Sequence, residues 1–125
     1  MTFVRSTVAD ISKALRPGQL VILSSTTYPG TTNEVVKPAL ERATLKCGMD
    51  FWLAFAPERE DPGNAHYETA SIPRVVGADD EASRDAAVAF FSLVAPRVFP
   101  VSTAATAEAV KLTENIFRSV NVALV

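Results

Sequence analysis

Four short apolar runs alternate with segments of helical periodicity, and this alternation limits the possible folds more than any other feature of the chain. The runs are residues 20–23, 51–55, 74–77 and 98–101. Apolar residues at helical spacing precede the first run and follow the first, third and fourth. Continuous apolar strands bounded by helices are typical of sheets covered on both faces. The pattern therefore predicts an α/β fold with a mostly parallel sheet, in which the first strand is buried on both faces.

Capping residues and prolines predict where several elements begin. A helix is expected to start near Thr31 or Thr32, and Pro38 should bend it unless the proline lies within the first turn. Asp79 or Asp80 should cap the helix after the third strand. These signals agree with the alternation of strands and helices.

The end of the chain predicts an edge strand followed by a long helix. Pro100 has no backbone N–H, which places the fourth strand toward the edge of the sheet. Residues 102–106 lead into the last helix, which stays apolar through residues 122–125 with no stop signal. We therefore expect that a larger protein continues here. Residues 58–72 form a polar stretch without periodicity, which predicts a long functional loop.

Composition excludes several classes of protein. The chain has 125 residues, enough for one small domain, and a net charge of -2 gives no electrostatic footprint for nucleic acid or an anionic membrane. Residues 1–6 lack the basic and apolar regions expected of a signal peptide, and no run of 18 apolar residues occurs, so the cytoplasm is the expected compartment. His66 is the single histidine, and Cys47 has no histidine at a recognisable spacing. We expect no metal site, and we expect Cys47 to be a structural or incidental thiol rather than a nucleophile.

Polar side chains follow the first two strands. In open α/β sheets, ligands bind beyond the carboxyl ends of the strands, so Ser25 and Thr26 are candidates for hydroxyl contacts. Both can equally serve turns and caps. Glu58 can act as a general base or order a water, or it can be a solvated loop side chain. Arg59 can face a phosphate or carboxylate, or pair with a neighbouring acid at the surface.

The last helix carries a polar stripe. Lys111, Asn115 and Arg118 share one helical face, and their side chains suit an anion or a developing oxyanion. Alternatively, Lys111 forms a surface ion pair with Glu108 or Glu114. A hydrolase that uses Ser25 and Glu58 is disfavoured because no histidine lies nearby in the sequence to activate the serine.

Three sequence blocks carry a family resemblance. The blocks are residues 20–32 (LVILSSTTYPGTT), 53–64 (LAFAPEREDPGN) and 111–121 (KLTENIFRSVN). In this order they closely resemble the UDP-glucose/GDP-mannose dehydrogenase family, and within it the UDP-N-acetylglucosamine and UDP-N-acetylmannosamine 6-dehydrogenases. The resemblance implies NAD-dependent oxidation of the C6 hydroxyl of a UDP-sugar to a carboxylate, through an aldehyde and a cysteine-bound intermediate. It also implies a homodimer built on a long central helix.

The resemblance also implies how the chain is organised. Residues 1–105 would form the second, C-terminal half of a Rossmann-like NAD-binding domain, and residues 106–125 the start of the central dimerisation helix. The family's glycine-rich loop and nucleophilic cysteine have no match in these residues, so we expect an internal fragment that is inactive alone. Ser24 stands where relatives carry an acid, and Ala78 where many carry glycine. The alternative is a non-catalytic truncated remnant, or a module that self-associates through its sheet edge and last helix.

Matching positions receive roles from the resemblance. Thr26 would order the catalytic water, Glu58 would act as base in thioester hydrolysis, and Lys111 with Asn115 would stabilise the oxyanion at C6. Ser25, Thr26 and Glu58 are expected near the nicotinamide end of NAD. The residues expected to bind substrate are Glu58, Arg59, Lys111, Asn115 and Arg118. Together with Asn121, the two arginines would help to place the substrate or the neighbouring helix.

Overall fold

Each apolar run forms a strand in the computed structural model, which describes residues 1–41, 44–58 and 72–124. The strands are β1 (Leu20–Leu23), β2 (Trp52–Phe55), β3 (Arg74–Gly77) and β4 (Val98–Val101). They form one sheet in the order β1-β2-β3-β4. The strand with Pro100 lies at one edge of this sheet, as its missing N–H predicted. At the other edge, β1 is half-buried throughout, so the predicted full burial of this strand is wrong.

The helices also follow the sequence pattern. They are α1 (Thr2–Ala14), a π-helical turn (Thr32–Val36) that continues as α2 (Lys37–Glu41), α3 (Glu81–Ser92) and α4 (Ala104–Leu124). Asp80 caps α3, because its carboxylate accepts a 2.7 Å hydrogen bond from the backbone N–H of Ser83. Arg59, His66 and nearly all of the predicted long loop lie outside the described residues.

The π-helical turn accounts for Pro38. The backbone N–H of Lys37 donates to the carbonyl of Thr32, five residues back. Proline cannot donate to the helical ladder, and its ring clashes with the carbonyl four residues before it in a regular α-helix. A widened turn immediately before Pro38 relieves that clash. The predicted bend therefore takes the form of a π-helical turn.

Strand direction reverses once in the sheet. β1 and β2 are parallel, as are β3 and β4, whereas β2 and β3 are antiparallel with Phe55 opposite Gly77. A parallel pair needs a crossover connection, and each parallel pair here is joined through a helix, α2 or α3. The sequence between β2 and β3 shows no helical periodicity. The mostly parallel sheet is thus confirmed for two of its three pairings.

Alternate strand residues face two helical layers. On one face, Ala54 and Val76 pack against Ala87 and Phe91 of α3. On the other face, one cluster joins the sheet to α1 and α2, and a second joins Phe55 and Val75 to α4. Helices therefore cover both faces, as the continuous apolar strands predicted.

Gly77 permits α4 to approach the sheet closely. A Cβ atom built on Gly77 would lie 2.2 Å from the carbonyl oxygen of Thr103 and 2.8 Å from Cβ of Ala107. No side chain fits between the end of β3 and the first turn of α4. This contact fixes where α4 crosses the end of the sheet.

Replacing Gly77 should therefore weaken the fold. We expect Gly77→Ala to lower the free energy of unfolding by about 1–3 kcal/mol, because the added methyl group must displace backbone. Gly18→Ala is the comparison: Gly18 has open space around it but φ +82°, so it reports the cost of a positive φ without a packing clash. Urea unfolding measures both variants. An unchanged free energy of unfolding in Gly77→Ala would contradict the packing argument.

Candidate active site

Backbone hydrogen bonding brings the ends of β1 and β2 together. The N–H of Glu58 donates to the carbonyl of Ser24 at 3.4 Å, beyond the last paired residues of the two parallel strands. Ser25 and Thr26 follow directly and are exposed. The structure therefore places the predicted hydroxyls and the predicted carboxylate at the same edge of the sheet, where ligands of open α/β sheets bind.

Helix α4 covers this edge. Ala104 and Ala107 of α4 pack with Phe55, the last residue of β2, and with Leu23, the last residue of β1. Lys111 lies one turn further along and is only 9% exposed. The same helical face that packs on the two strand ends therefore carries the predicted lysine.

Glu108 joins α4 to the loop after β1. Its carboxylate is fully buried and accepts from the N–H of Gly30 at 2.6 Å, the N–H of Thr32 at 2.9 Å and Oγ1–H of Thr32 at 2.7 Å. Thr31, at the cap position of the π-helical turn, makes no side-chain cap, and its hydroxyl donates to the carbonyl of Tyr28 instead. A carboxylate from a distant helix thus replaces a local cap.

These contacts overturn the predicted surface ion pair of Lys111 with Glu108. The Glu108 carboxylate is directed to the loop, and Lys111 is buried. Within the part of the chain that the structure describes, Lys111 makes no hydrogen bond or ion pair. A lysine that is only 9% exposed, and whose ammonium group has no partner among the described residues, is available to an anionic group of a ligand.

Arg74 holds Glu58. Nη1 of Arg74, a residue only 7% exposed, lies 2.8 Å from Oε1 of Glu58 and 3.4 Å from the carbonyl oxygen of Pro57. The guanidinium also lies 5.9 Å from the ring centroid of Phe91. Because β3 runs antiparallel to β2, extending the Phe55–Gly77 register places Arg74 opposite Glu58. The reversal of strand direction therefore positions this carboxylate.

Sequence reasoning missed both Glu108 and Arg74. A signal existed for each: Arg74 is a lone cation at the start of an apolar strand, and Glu108 shares a helical face with Ala104 and Ala107. Neither signal identifies the residue that the side chain contacts. Arg59, the cation that the sequence placed beside Glu58, lies outside the described residues.

The rest of the predicted stripe on α4 becomes progressively exposed. Asn115, one turn beyond Lys111, is half-buried, whereas Arg118 is exposed. Asn121 is exposed too, and its side-chain amide donates to the carbonyl of Phe117 at 2.7 Å. Lys111 and Asn115 are therefore at least half-buried, whereas Arg118 and Asn121 are exposed to solvent.

Cys47 has the environment of a structural thiol. Burial, together with the nearby Asp80 carboxylate, raises the pKa of the Cys47 thiol, an effect that its contact with Ser83 opposes. The group is therefore protonated at neutral pH and a poor nucleophile. Among the described residues, no group of three or more side chains is arranged to hold a metal ion. No described helix has the length and apolar character that a membrane crossing requires.

Thr27 and Thr32 provide a matched pair of threonines in this loop. Oγ1 of Thr27 is buried and has no hydrogen-bond partner among the described residues, whereas Oγ1 of Thr32 donates to Glu108. Valine has nearly the same shape as threonine but no hydroxyl. Thr27→Val therefore removes a buried hydroxyl that has no partner among the described residues, whereas Thr32→Val removes one that is hydrogen-bonded.

We expect Thr27→Val to raise the free energy of unfolding by about 1 kcal/mol, because it removes an unsatisfied hydroxyl. Thr32→Val should lower it by about 1.5–3 kcal/mol, because a hydrogen bond to a buried carboxylate is lost. Urea unfolding of both variants gives the two values. Changes of the same sign would show that the assigned contacts do not govern the loop.

The chain is similar to known proteins of one family. Residues 1–94 match the model for the NAD binding domain of the UDP-glucose/GDP-mannose dehydrogenase family. The UDP-N-acetyl-D-mannosamine dehydrogenase of Pyrococcus horikoshii is 36% identical over 125 residues, which cover 99% of this chain and 30% of that protein. The UDP-N-acetyl-D-glucosamine 6-dehydrogenase of Pseudomonas aeruginosa is 34% identical over 118 residues, 93% of this chain and 28% of that protein.

Solved structures share the fold. The UDP-D-ManNAc dehydrogenase structure from Pyrococcus horikoshii matches with a TM-score of 0.89 at 36% identity, over 98% of this chain and 29% of that one. The NDP-N-acetyl-D-galactosaminuronic acid dehydrogenase from Methanosarcina mazei matches with a TM-score of 0.83 at 42% identity, over 92% of this chain and 25% of that one. The chain thus spans about 30% of the length of such relatives. The resemblance read from the sequence is confirmed.

Proposed function

We propose that this chain, which belongs to the UDP-glucose/GDP-mannose dehydrogenase family, forms part of an NAD-dependent dehydrogenase that oxidises the C6 hydroxyl of a UDP-sugar to a carboxylate. One observation carries the proposal: Lys111 is nearly buried, makes no hydrogen bond or ion pair within the described residues, and lies on the helix that Glu108 joins to the loop with Thr26. The names of the relatives support a UDP-sugar as the substrate class. In this scheme residues 1–105 belong to the NAD-binding domain and residues 106–125 begin a central helix.

Lys111 and Asn115 would stabilise negative charge at the sugar C6 oxygen. The two side chains are one helical turn apart on the same face of α4, so both can donate to one oxygen. Because Lys111 is nearly buried, its charge is screened less than that of a surface lysine. Preorganised donors of this kind contribute most when charge develops on the oxygen.

At the adjacent strand ends, Glu58 would accept a proton from water and Thr26 would orient that water. The Arg74 guanidinium fixes the Glu58 carboxylate, yet the Glu58 side chain remains 45% exposed, so water reaches it. A carboxylate in that setting can take a proton from an attacking water. The exposed hydroxyl of Thr26 can orient the same water.

The residues present fit the nicotinamide end of NAD. Ser25 and Thr26 present exposed hydroxyls at the carboxyl end of β1, and Glu58 lies beside them. When bound, NAD supplies the hydride acceptor. The sequence contains no Gly-x-Gly-x-x-Gly, so these 125 residues lack the glycine-rich turn that receives the pyrophosphate in such domains.

A homodimer through α4 belongs to the same proposal. The outer part of α4 exposes large apolar side chains, including Phe117 at 71% and Leu124 at 81%. Exposed apolar side chains grouped along one helix are typical of protein–protein contacts. We place the complete enzyme in the cytoplasm, a compartment predicted from the sequence alone.

A second candidate is a non-catalytic module that self-associates. β1 is an edge strand of the described sheet, and a groove of about 350 Å³ lies between α1 and β1. Such an edge favours pairing with another chain. The two candidates differ in whether residues 1–125 can support catalysis when the rest of a dehydrogenase is supplied.

A chimera tests the proposed function. Residues 1–125 would replace the matching segment of the Pyrococcus horikoshii relative, and NADH formation with UDP-N-acetyl-D-mannosamine would be followed. We expect Lys111→Ala in this chimera to lower kcat by about 100-fold, because an oxyanion donor is lost, with little change in NAD affinity. Lys46→Ala, at an exposed lysine, is the control. Equal losses of turnover and NAD affinity would refute the oxyanion role.

The chain alone should bind NAD weakly. We expect a Kd no tighter than the millimolar range, because the glycine-rich turn that receives the pyrophosphate is missing from the sequence. Isothermal titration calorimetry of the purified chain with NAD measures this affinity. Micromolar binding would mean that these residues hold the cofactor by themselves.

A further inference from the structure

We infer that Glu108 is a positioning residue of the proposed active site, which sets the Thr26 loop and Lys111 at a fixed separation. The inference rests on the proposed function for its consequence in catalysis, but the contact itself stands on geometry. Glu108 is fully buried, so it reaches neither solvent nor substrate directly. Its influence passes through the three donors of Gly30 and Thr32 that it accepts.

A cap alone would not require this residue. Local Ser, Thr, Asp or Asn side chains satisfy the first N–H groups of most helices. Burying a carboxylate carries a large desolvation cost before its hydrogen bonds are counted. A local cap would avoid that cost, but it would not connect the loop to α4. Using Glu108 for the cap makes the loop and the helix one rigid unit.

The loop with Thr26 is held at both ends. At its start, the carbonyl of Ser24 accepts from the N–H of Glu58. At its end, Gly30 turns with φ +101° and donates to Glu108. Residues 25–29 span these two anchors. We therefore expect movement of the second anchor to shift the segment that carries the Thr26 hydroxyl.

The same anchor is linked to the lysine. Lys111 follows Glu108 by three residues on α4, which is about 4.5 Å along the helix axis. Glu108 thus links the loop with Thr26, whose hydroxyl would order water, to the helix that carries Lys111, whose ammonium would stabilise the oxyanion. Catalytic groups displaced by 1 Å can lose about 100-fold in rate, so this link matters for turnover.

Glu108→Gln is the sharpest substitution. Glutamine keeps the shape, but its amide NH2 cannot accept, so one of the donors at Gly30 or Thr32 is left facing another donor. Glu81→Gln is the matched control, because Glu81 is exposed on α3. Thr32→Val is a milder variant that removes only the hydroxyl contact, for use if Glu108→Gln does not fold.

Amide hydrogen exchange of the 125-residue chain tests the contact. We expect amides within residues 24–32 to exchange about tenfold faster or more in Glu108→Gln, with α3 unchanged. Thr32→Val should show a smaller increase confined to the same segment. Unchanged exchange in the segment, or a uniform increase that includes α3, would overturn the inference whatever the enzyme does.

Kinetics of the chimera test the consequence. We expect Glu108→Gln to lower kcat by about 10- to 100-fold, with KM for NAD little changed and a larger isotope effect for substrate deuterated at C6. A merely structural role would reduce the folded fraction and leave the isotope effect unchanged, which would overturn the positioning role. An unmodified chimera without NADH formation would count against the proposed function alone, because hydrogen exchange still decides the contact.

Discussion

The burial of one carboxylate organises the candidate site. Glu108 on α4 accepts three hydrogen bonds from Gly30 and Thr32, so the loop after β1 is joined to the last helix. The cost of desolvating a carboxylate is offset only because these bonds are short and all three come from one segment. We infer that the positions of Thr26 and Lys111 depend on this contact.

Packing of α4 on the sheet complements that contact. Gly77 lets the first turn of α4 rest on backbone, and Ala107 fills the remaining space against Phe55. The reversal between β2 and β3 then brings Arg74 opposite Glu58. A fully parallel sheet would place the first residue of β3 at the opposite edge, away from the site. Sheet topology therefore positions Glu58, and helix packing positions α4, which carries Lys111.

Much of the architecture could be read from local pattern. The strand ends at Leu23, Phe55 and Gly77 were predicted because apolar runs stop at turn residues. The cap at Asp80 followed from its own side chain. The family resemblance rested on three blocks, two of which carry polar residues after strand ends while the third lies on α4, and it is confirmed. The catalytic roles of Thr26, Glu58, Lys111 and Asn115 stay predictions that the chimera addresses.

By itself, the sequence determined which segments are strands and helices, and which polar residues follow the strand ends, because periodicity and capping are local properties of a chain. Only the tertiary structure determined which donor pairs with which acceptor and which cation pairs with which carboxylate. Glu108 lies 76 residues from Thr32, and Arg74 reaches Glu58 only after β3 pairs antiparallel to β2. Partners so distant along the chain leave no spacing to read, since their contact arises from the packing of separate elements.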